Sequence, residues 1–565
     1  MMRRSIFALV TSVMALAACG TEGGETPSAR DDQPELNEQP DPGLTFDVGT
    51  QADREALFDF LVESTMEWDA FAALADHPTH RAHPAGLDVP AAMEVYRDEL
   101  LAADSDSAFY YALLKISNAR KDRHLRLGPV DGGLTFPDTV GIQESQANTP
   151  VEDSRVPRAP VRLRIDYGDL DDPVLFVGDR SVSAAAGAYG AEPGLGHRVL
   201  AINGMAVDEY REAVRPYHRY STEPSFLWWF GFWVPQRSVQ FPARFYGEAL
   251  TLVLDDPEVG EYQVELPYLD PGEIQWEGTG EPSYPGFRQV PEVSDNETFA
   301  LYLPETDGPE LVILQWKGFR RDLPEAMDTL MEFAEAEGLL DHHVVVDATR
   351  AGGGSRGSYA VARLQPSPHK GTFGNLMVSE AMVRWVDDQI AGLRSGEISP
   401  AVEDDGSWQL EWLEEDVQQA IEAGRRFTND VPFKGAHAPK WSDGIIEPAD
   451  VHFRGGLTVW LGPKGGSHLD QFAAQVVDNG LGHVMGMSAG GYSNTWQATE
   501  ILRFPTTGRP IVTHQWSMGH SIRPNGQIVQ YNPAEVHEYF PQTRENYRDY
   551  HARLLARTVD RLDLR

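Results

Sequence analysis

Residues 457–480, LTVWLGPKGGSHLDQFAAQVVDNG, contain the pattern from which we infer the fold class. Four of the first five residues are apolar and predict a buried strand, and the GPKGG segment after them predicts a turn. From Ser467 onward, apolar residues recur at helical spacing on one face, which predicts an amphipathic helix opened by Ser467. A buried strand that leads through a glycine-rich turn into such a helix is typical of an α/β core.

The same alternation of strands and helices extends on both sides of this unit. Its predicted members are the strands 311–316, 344–347, 483–487 and 510–513 and the helices 324–337 and 543–562. Strands that alternate with helices favour a largely parallel sheet. We therefore expect an α/β domain at 300–565, interrupted by a partly helical insertion at 366–455.

The N-terminal half has a different character. Residues 54–130 carry apolar residues at helical spacing and predict a small helical domain, whereas 160–270 contain short β-rich runs between glycine and aspartate turns. Within the second segment, GLGHRVLAING at 194–204 resembles the PDZ signature, although His197 stands where aspartate is usual. The resemblance implies a PDZ-like module, which would bind extended peptides by adding a strand to a sheet edge.

Length and charge narrow the range of functions. A chain of 565 residues is too long for one ordinary core and suggests two or three domains. Its formal net charge of −39 repels nucleic acid and anionic lipid headgroups, so we discount both as partners. The single cysteine, Cys19, excludes an intramolecular disulfide and a metal site built from thiols alone. The sequence assigns no oligomeric state.

The N-terminus resembles a bacterial lipoprotein signal. Two arginines precede an apolar stretch at 6–18, which ends in Leu-Ala-Ala directly before Cys19. The resemblance implies that 1–19 is a signal and that Cys19 is lipidated and becomes the mature N-terminus, followed by a flexible tether at 20–53. Gly20, rather than aspartate, follows the cysteine. We therefore expect a lipid-anchored protein of the cell envelope, at the outer membrane.

Ser467 and a triple glycine are the first candidates for chemistry. A serine that opens a helix lies beside free backbone N–H groups and the positive end of the helix dipole, which stabilise an anion forming next to its hydroxyl. The same position is common for a serine that only caps a helix. Gly352, Gly353 and Gly354 follow the predicted strand that ends at Asp347, and they form either an oxyanion hole or a flexible turn.

The order of these motifs resembles the catalytic domain of the tail-specific (C-terminal-processing) peptidases, of the tricorn core and chlamydial protease-like activity factor type. The shared features are a strand ending in Asp347, the triple glycine, a second strand, Ser467 at a helix start and the Asp-Asn-Gly at 478–480. With the helical and PDZ-like segments in the same order, the resemblance covers about residues 54–562. It implies an α/β catalytic domain of the crotonase/ClpP-like type.

The resemblance also implies an activity and its residues. The family includes a Ser-Lys version, which needs a lysine after the serine, but Lys464 is the last lysine of the chain. The other version, Ser-His-Glu, assigns Ser467 as the nucleophile and His124, in the Asp-Arg-His at 122–124, as the general base. It implies a serine-type endopeptidase that forms an acyl-enzyme on extended polypeptide substrates, without cofactor or metal.

The remaining site residues follow less directly from this resemblance. Glu535 is the nearest acid that could orient His124, although Gln530 stands where the carboxylate is usual. The oxyanion hole would consist of the backbone amides of Gly353 or Gly354 and of His468. His468 itself departs from the small residue that is usual after the serine.

Two alternative functions remain open, and a third, metal binding, is disfavoured. The Gly-x-Ser-x-Gly pattern at 353–357 would make Ser355 the nucleophile of an esterase. A non-catalytic relative of the same fold would bind a ligand or peptide instead. In that case the aromatic run FLWWFGFWV at 226–234, which we otherwise assign to core packing or a domain interface, could form an apolar wall. The histidines at 77, 80 and 83 are interrupted by prolines and predict an exposed loop, not a metal site.

Overall fold

The computed structural model describes residues 46–563 apart from 78, 81–82, 135–155, 239–240, 279, 307, 399–406, 433–443 and 495. The predicted signal, with Cys19, lies outside the described residues. The α-helices, in chain order, are α1 (Gln51–Trp68), α2 (Val89–Glu94), α3 (Arg97–Ala102), α4 (Asp106–Asn118), α5 (Val182–Ala185), α6 (Val207–Val214), α7 (Glu223–Trp233), α8 (Pro291–Ser294), α9 (Leu323–Ala336), α10 (Gly357–Leu364), α11 (Glu380–Ser395), α12 (Ser407–Glu411), α13 (Gln418–Glu422), α14 (His468–Asp478) and α15 (Tyr550–Leu562).

Twenty-one strands accompany these helices in the described chain. They are β1 (Leu127–Gly128), β2 (Val161–Asp166), β3 (Val174–Arg180), β4 (Arg198–Ile202), β5 (Met205–Ala206), β6 (Ala249–Asp256), β7 (Gly260–Pro267), β8 (Phe287–Gln289), β9 (Phe299–Pro304), β10 (Leu311–Trp316), β11 (His343–Ala348), β12 (His369–Lys370), β13 (Phe373–Gly374), β14 (Val431–Pro432), β15 (Ile445–Ile446), β16 (Leu457–Leu461), β17 (His483–Gly486), β18 (Gln497–Arg503), β19 (Pro510–Ser517), β20 (Ser521–Ile522) and β21 (Glu538–Tyr539).

A seven-stranded sheet forms the centre of the C-terminal half, in the order β21-β17-β16-β11-β10-β9-β8. Neighbours from β21 to β10 are parallel, and β9 and β8 are added antiparallel. All residues of β11 and β16 are buried, as expected for apolar strands covered on both faces. The predicted α/β core with a largely parallel sheet is therefore confirmed.

Side chains alternate between the two faces of this sheet. Leu314 and Val346 pack with residues of α9, α10 and α14 on one face. Ile313, Val345 and Trp460 pack with α15 on the other face, where the Trp460 indole N–H donates to the Thr558 hydroxyl at 3.1 Å. The helix that carries the candidate serine is thus fixed by the core of the sheet.

The helical segment and the antiparallel sheet of the N-terminal half share one hydrophobic core. Helices α1–α4 contribute Leu57, Phe109 and Leu113, and the sheet, in the order β2-β3-β4-β6-β7 with β5 beside β4, contributes Val161 and Leu252. All described residues belong to one compact unit, Gly43–Arg565, so the boundaries at 54–130 and 160–270 stay predictions.

The aromatic run of the sequence forms α7. Its residues Phe226, Leu227 and Phe230 are fully buried in the shared core, which agrees with the packing interpretation. Trp228 and Phe232 are half-buried, and their rings stack with centroids 5.5 Å apart. One face of α7 therefore packs in the core, and the face with Trp228 and Phe232 is partly accessible to solvent.

Three predictions need correction. The strand predicted at 510–513 belongs to β19, which lies in a separate antiparallel sheet with β1 and β18 because β18 and β19 pair as a hairpin. The terminal helix begins at Tyr550 rather than 543. His77 is buried against the rings of His520 and Phe427 instead of lying in an exposed loop.

Two features are absent from the described residues. None of the described helices is long and apolar enough to cross a membrane. No group of three or more histidine, cysteine, aspartate or glutamate side chains in the described chain is arranged to hold a metal ion.

We predict that Gly465→Ala destabilises the fold. A methyl group there would lie 2.0 Å from the carbonyl oxygen of Ala351 and 2.9 Å from Leu469 Cδ2, so two segments beside the sheet must separate. We expect a loss of about 2–4 kcal/mol in the free energy of unfolding, measured by urea denaturation. Gly272→Ala is the control, because nothing lies within 4 Å of its added methyl group. Equal stability of the two variants would contradict this close approach.

Candidate active site

Two glycine-rich loops meet at the carboxyl ends of β11 and β16. These strands are parallel neighbours, so the loops 349–354 and 462–466 leave the same edge of the sheet side by side. Their approach is too close for side chains, since a methyl group on Gly462 would lie 2.4 Å from the carbonyl oxygen of Thr349. Glycines that are far apart in sequence thereby bring Gly353 against Ser467.

Ser467 has a strained backbone. Its φ of 60° and ψ of −122° lie outside the regions that residues with a side chain usually adopt. Its N–H donates to the carbonyl oxygen of Tyr492 at 2.5 Å, and its side chain makes no capping hydrogen bond to α14. The cap interpretation of this serine is therefore wrong. A strained serine between a buried strand and a helix has the geometry of a nucleophile elbow.

The triple glycine lies directly beside the serine side chain. A methyl group on Gly353 would lie 2.7 Å from Ser467 Cβ and 3.3 Å from Ser467 Oγ. The loop is held by two hydrogen bonds, from the N–H of Phe319 to the Gly353 carbonyl and from the N–H of Ser355 to the Phe319 carbonyl, both 3.1 Å long. Within the described chain, the amides of Gly353 and Gly354 donate to no other group. They are available to a negatively charged oxygen next to Ser467 Oγ.

His468 connects the serine to this loop. Its amide stands at the N-terminal end of α14, where backbone N–H groups and the helix dipole favour negative charge. Its imidazole Nε2 accepts a hydrogen bond of 2.5 Å from the N–H of Gly357, and its ring packs edge-on against Phe319. The side chain that departs from the small residue expected here thus fastens α14 to the start of α10.

His124 lies in a turn after α4, on the other side of Tyr492. Its N–H donates to Asp122 Oδ1 at 2.8 Å, and its imidazole packs edge-on against the Tyr492 ring with centroids 5.2 Å apart. Ser467 and His124 therefore contact the same residue from opposite ends of the sequence. They form no hydrogen bond with each other in this structure, and the buried Nδ1 of His124 has no hydrogen-bond partner.

The structure does not place Glu535 beside His124. Glu535 is exposed and makes no ion pair or hydrogen bond with His124, because its neighbours Ala534 and Val536 turn inward to the core and point it outward. The carboxylate next to the imidazole is that of Asp122, which is buried and lies 3.7 Å from Nδ1. Gln530 is also buried, but its amide bonds to the N–H of Ser493 and the hydroxyl of Ser221.

Asp470 is a site residue that the sequence analysis did not assign. It lies one turn after Ser467, fully buried, and accepts hydrogen bonds from the amides of Gly491 and Tyr492 at 3.0 and 2.9 Å. Burial raises the pKa of this carboxyl to about 7, while the amide donors act in the opposite direction. Because the carbonyl of Tyr492 holds the N–H of Ser467, Asp470 positions the serine through that turn. The signal in the sequence that could have identified Asp470 is its position, one helical turn after the candidate serine.

Ser355 lacks the geometry of a nucleophile elbow. It follows β11 by seven residues, does not have a left-handed φ, and its N–H is used in the bridge to Phe319. In the described chain, the strained strand-to-helix turn beside the amides of Gly353 and Gly354 occurs at Ser467. The geometry therefore favours Ser467 over the esterase alternative.

Asp470→Asn provides a test of the buried carboxyl. Because its pKa is raised on folding, the native state holds a proton that the unfolded chain releases above about pH 4, so the contribution of Asp470 to stability falls as the pH rises towards 7. Between pH 5 and pH 8, we expect the stability of the parent relative to Asp470→Asn to be greatest at pH 5 and to fall steadily, by about 1–3 kcal/mol in total at pH 8. Urea denaturation at each pH measures it. A difference that grows with pH would contradict the assignment.

Comparison with known proteins gives structural matches alone. No family model and no curated protein matches the chain. Among solved structures, mature CPAF is 15% identical, with 91% of this chain and 97% of that chain covered and a TM-score of 0.60. A complex of mature CPAF with lactacystin gives 14% identity, coverage of 91% and 98% and a TM-score of 0.59. A serine-to-alanine mutant of CPAF gives 12% identity, coverage of 90% and 98% and the same TM-score. Over nearly its whole described length, the chain therefore has the fold of CPAF, as the resemblance to tail-specific peptidases implied.

Proposed function

We propose that this chain is a serine-type endopeptidase that forms an acyl-enzyme on Ser467. The observation that carries the proposal is the strained turn at Ser467 with Gly353 pressed against its side chain. A fold shared with CPAF, whose complex with lactacystin and serine-to-alanine mutant have been solved, supports the same class of activity. Polypeptides are the proposed substrates.

In the proposed mechanism, the nucleophile and the general base both contact Tyr492. Ser467 Oγ attacks the scissile carbonyl carbon while His124 takes the hydroxyl proton, and the amides of Gly353 or Gly354 and of His468 stabilise the oxyanion of the tetrahedral intermediate. His124 then gives the proton to the leaving amine, which leaves an ester on Ser467. A water molecule, deprotonated by His124, hydrolyses this ester and restores the serine.

Asp122 takes the supporting role in this proposal. A buried carboxylate 3.7 Å from Nδ1 stabilises the imidazolium that forms when His124 accepts a proton. In the present structure Nδ1 and the Asp122 oxygen are beyond hydrogen-bond distance, so the mechanism requires the imidazole to move before it bonds to Asp122 and to Ser467 Oγ. Apo active sites often have such loose contacts, which tighten when substrate binds.

The signal-like N-terminus suggests where the enzyme acts. We propose lipidation at Cys19 and a place in the cell envelope, at the outer membrane, on the strength of the signal-like sequence alone. The enzyme would then act at a membrane surface on polypeptides that reach it.

Labelling with a fluorophosphonate probe, which reacts with activated serines, tests the nucleophile. With protein that comprises residues 20–565, we expect labelling of the parent and of Ser355→Ala, and none of Ser467→Ala, because the probe needs the activated hydroxyl. Loss of labelling in Ser355→Ala alone would establish the esterase alternative. A parent protein without labelling would favour the binding-protein alternative.

The roles of His124 and Asp122 are tested by the labelling rate. We expect His124→Ala to lower the rate by about 10³-fold or more, since the serine loses its base. Asp122→Asn should lower it by at least about tenfold, because the imidazolium loses the carboxylate that stabilises it. Glu535→Gln is the matched control, with a rate within about twofold of the parent. A loss of rate with Glu535→Gln and none with Asp122→Asn would restore Glu535 as the orienting acid.

A further inference from the structure

Cationic side chains flank Ser467 on two sides, although the formal net charge of the whole chain is −39. Lys464 lies three residues before the serine, in the loop that follows β16. Arg123 lies beside His124, with its guanidinium 5.7 Å from the centre of the Tyr492 ring. Two cationic side chains therefore lie on residues next to the proposed nucleophile and base, in an otherwise acidic protein.

Lys464 is held at the edge of the triple-glycine loop. Its Nζ donates to the carbonyl oxygen of Arg350 at 2.5 Å and lies 5.8 Å from the centre of the Trp228 ring. The Nε of Arg320 reaches the same loop from the other direction, since a methyl group on Gly318 would lie 3.2 Å from it and 3.4 Å from the carbonyl oxygen of Gly353. The ammonium group is thus fixed close to the amides proposed to bind the oxyanion.

Arg123 is fixed in the same manner. Its guanidinium lies 3.6 Å from the centre of the Trp229 ring and donates to the carbonyl oxygen of Arg219 at 3.0 Å. Arg123 also hydrogen-bonds to the hydroxyl of Tyr492. Within the described chain, neither Lys464 nor Arg123 forms an ion pair with a carboxylate: their partners are carbonyl oxygens, aromatic rings and this hydroxyl. Other cations differ in this respect; for example, Arg523 pairs with the carboxylate of Asp478 at 2.6 Å.

A cation with little water around it and no paired anion is unfavourable. Burial, together with the charges of Arg350 and Arg320, lowers the pKa of Lys464 to about 7, and Glu281 is the carboxylate that acts against this shift. Burial likewise lowers the pKa of Arg123. A substrate carboxylate in direct contact with Lys464 would compensate its charge, since no carboxylate of the described chain forms an ion pair with it.

We propose that the site around Ser467 selects acidic polypeptides, and that Lys464 binds a substrate carboxylate close to the scissile bond. This proposal rests on the proposed function, because it assigns the substrate class of the same site. The carboxylate comes either from an aspartate or glutamate side chain or from the C-terminus of the substrate. Two cations at the site would also direct such peptides to it, since the acidic protein repels them elsewhere.

The half-buried face of α7 defines the neighbouring part of the subsite. Trp228, which stacks on Phe232, stands beside the Lys464 ammonium group. A peptide whose carboxylate reaches Lys464 would therefore lie against aromatic rings. We infer that an apolar residue next to the acidic one strengthens binding.

Peptide binding to the Ser467→Ala protein tests the proposal without relying on hydrolysis. The probes are fluorescent decapeptides with blocked ends that differ in a single glutamate or glutamine at a scanned position, and a glutamine peptide with a free C-terminal carboxylate. We expect at least one carboxylate peptide to bind at least about tenfold more tightly than the blocked glutamine peptide. Fluorescence anisotropy measures Kd, and the preference should weaken as the salt concentration rises.

Substitutions in the same Ser467→Ala background assign the preference to Lys464. Lys464→Met should abolish it and Lys464→Arg should retain it. Lys317→Met is the matched control with the same loss of charge, because Lys317 is exposed and its Nζ donates to the carbonyl oxygen of Asn296. A preference for the free C-terminus alone identifies that source of the carboxylate, and a preference for glutamate identifies the side chain.

The proposal is overturned if all peptides bind equally or not at all, or if Lys464→Met keeps the preference. Failure of the proposed peptidase function has a different signature. In that case the parent protein is not labelled by the fluorophosphonate probe, while the Ser467→Ala protein still prefers the carboxylate peptide.

Discussion

The close approach of two glycine-rich loops at one edge of a parallel sheet is the constraint on which the candidate site depends. Strands β11 and β16 are neighbours, and the loops that follow them run so close together that a methyl group on Gly465 would lie 2.0 Å from a carbonyl oxygen. A side chain at that position would force the loops apart and remove Gly353 from Ser467. The requirement for glycine is therefore geometric, and it links the site directly to the core of the sheet.

A buried polar network brings the remote histidine to these loops. Arg120, two residues before Asp122, pairs with Asp69 at 3.2 Å and donates to the carbonyl oxygen of Gln515 at 2.7 Å, while the Asn494 amide donates to Asp122 at 3.3 Å. These contacts join the helical segment to β19 and to the loop that carries Tyr492. Breaking one buried member would leave its partner unsatisfied, which makes the position of His124 costly to change.

Many strands and helices of the fold could be predicted, because each produces a local pattern of apolar residues. Continuous apolar runs identified β10, β11 and β16, since strands covered on both faces need no polar residue. The strand at 510–513 was assigned to the wrong sheet because periodicity identifies a strand but not its partner. The shared core of the helical segment and the antiparallel sheet was also missed, since contacts between distant segments have no local signal.

The candidate site could be predicted only in part. The close approach of the glycines to Ser467 could be predicted, because such an approach restricts the sequence at known spacings. The carboxylate that lies next to His124 could not, because it depends on which way a side chain turns: Ala534 and Val536 enter the core and force Glu535 outward, whereas the turn at His124 folds back on Asp122. The position of Asp470 could not be predicted for the same reason, since its hydrogen bonds with Gly491 and Tyr492 arise from packing between distant segments. A residue's type and spacing indicate what chemistry it could perform, but the packing of its neighbours decides whether it performs it.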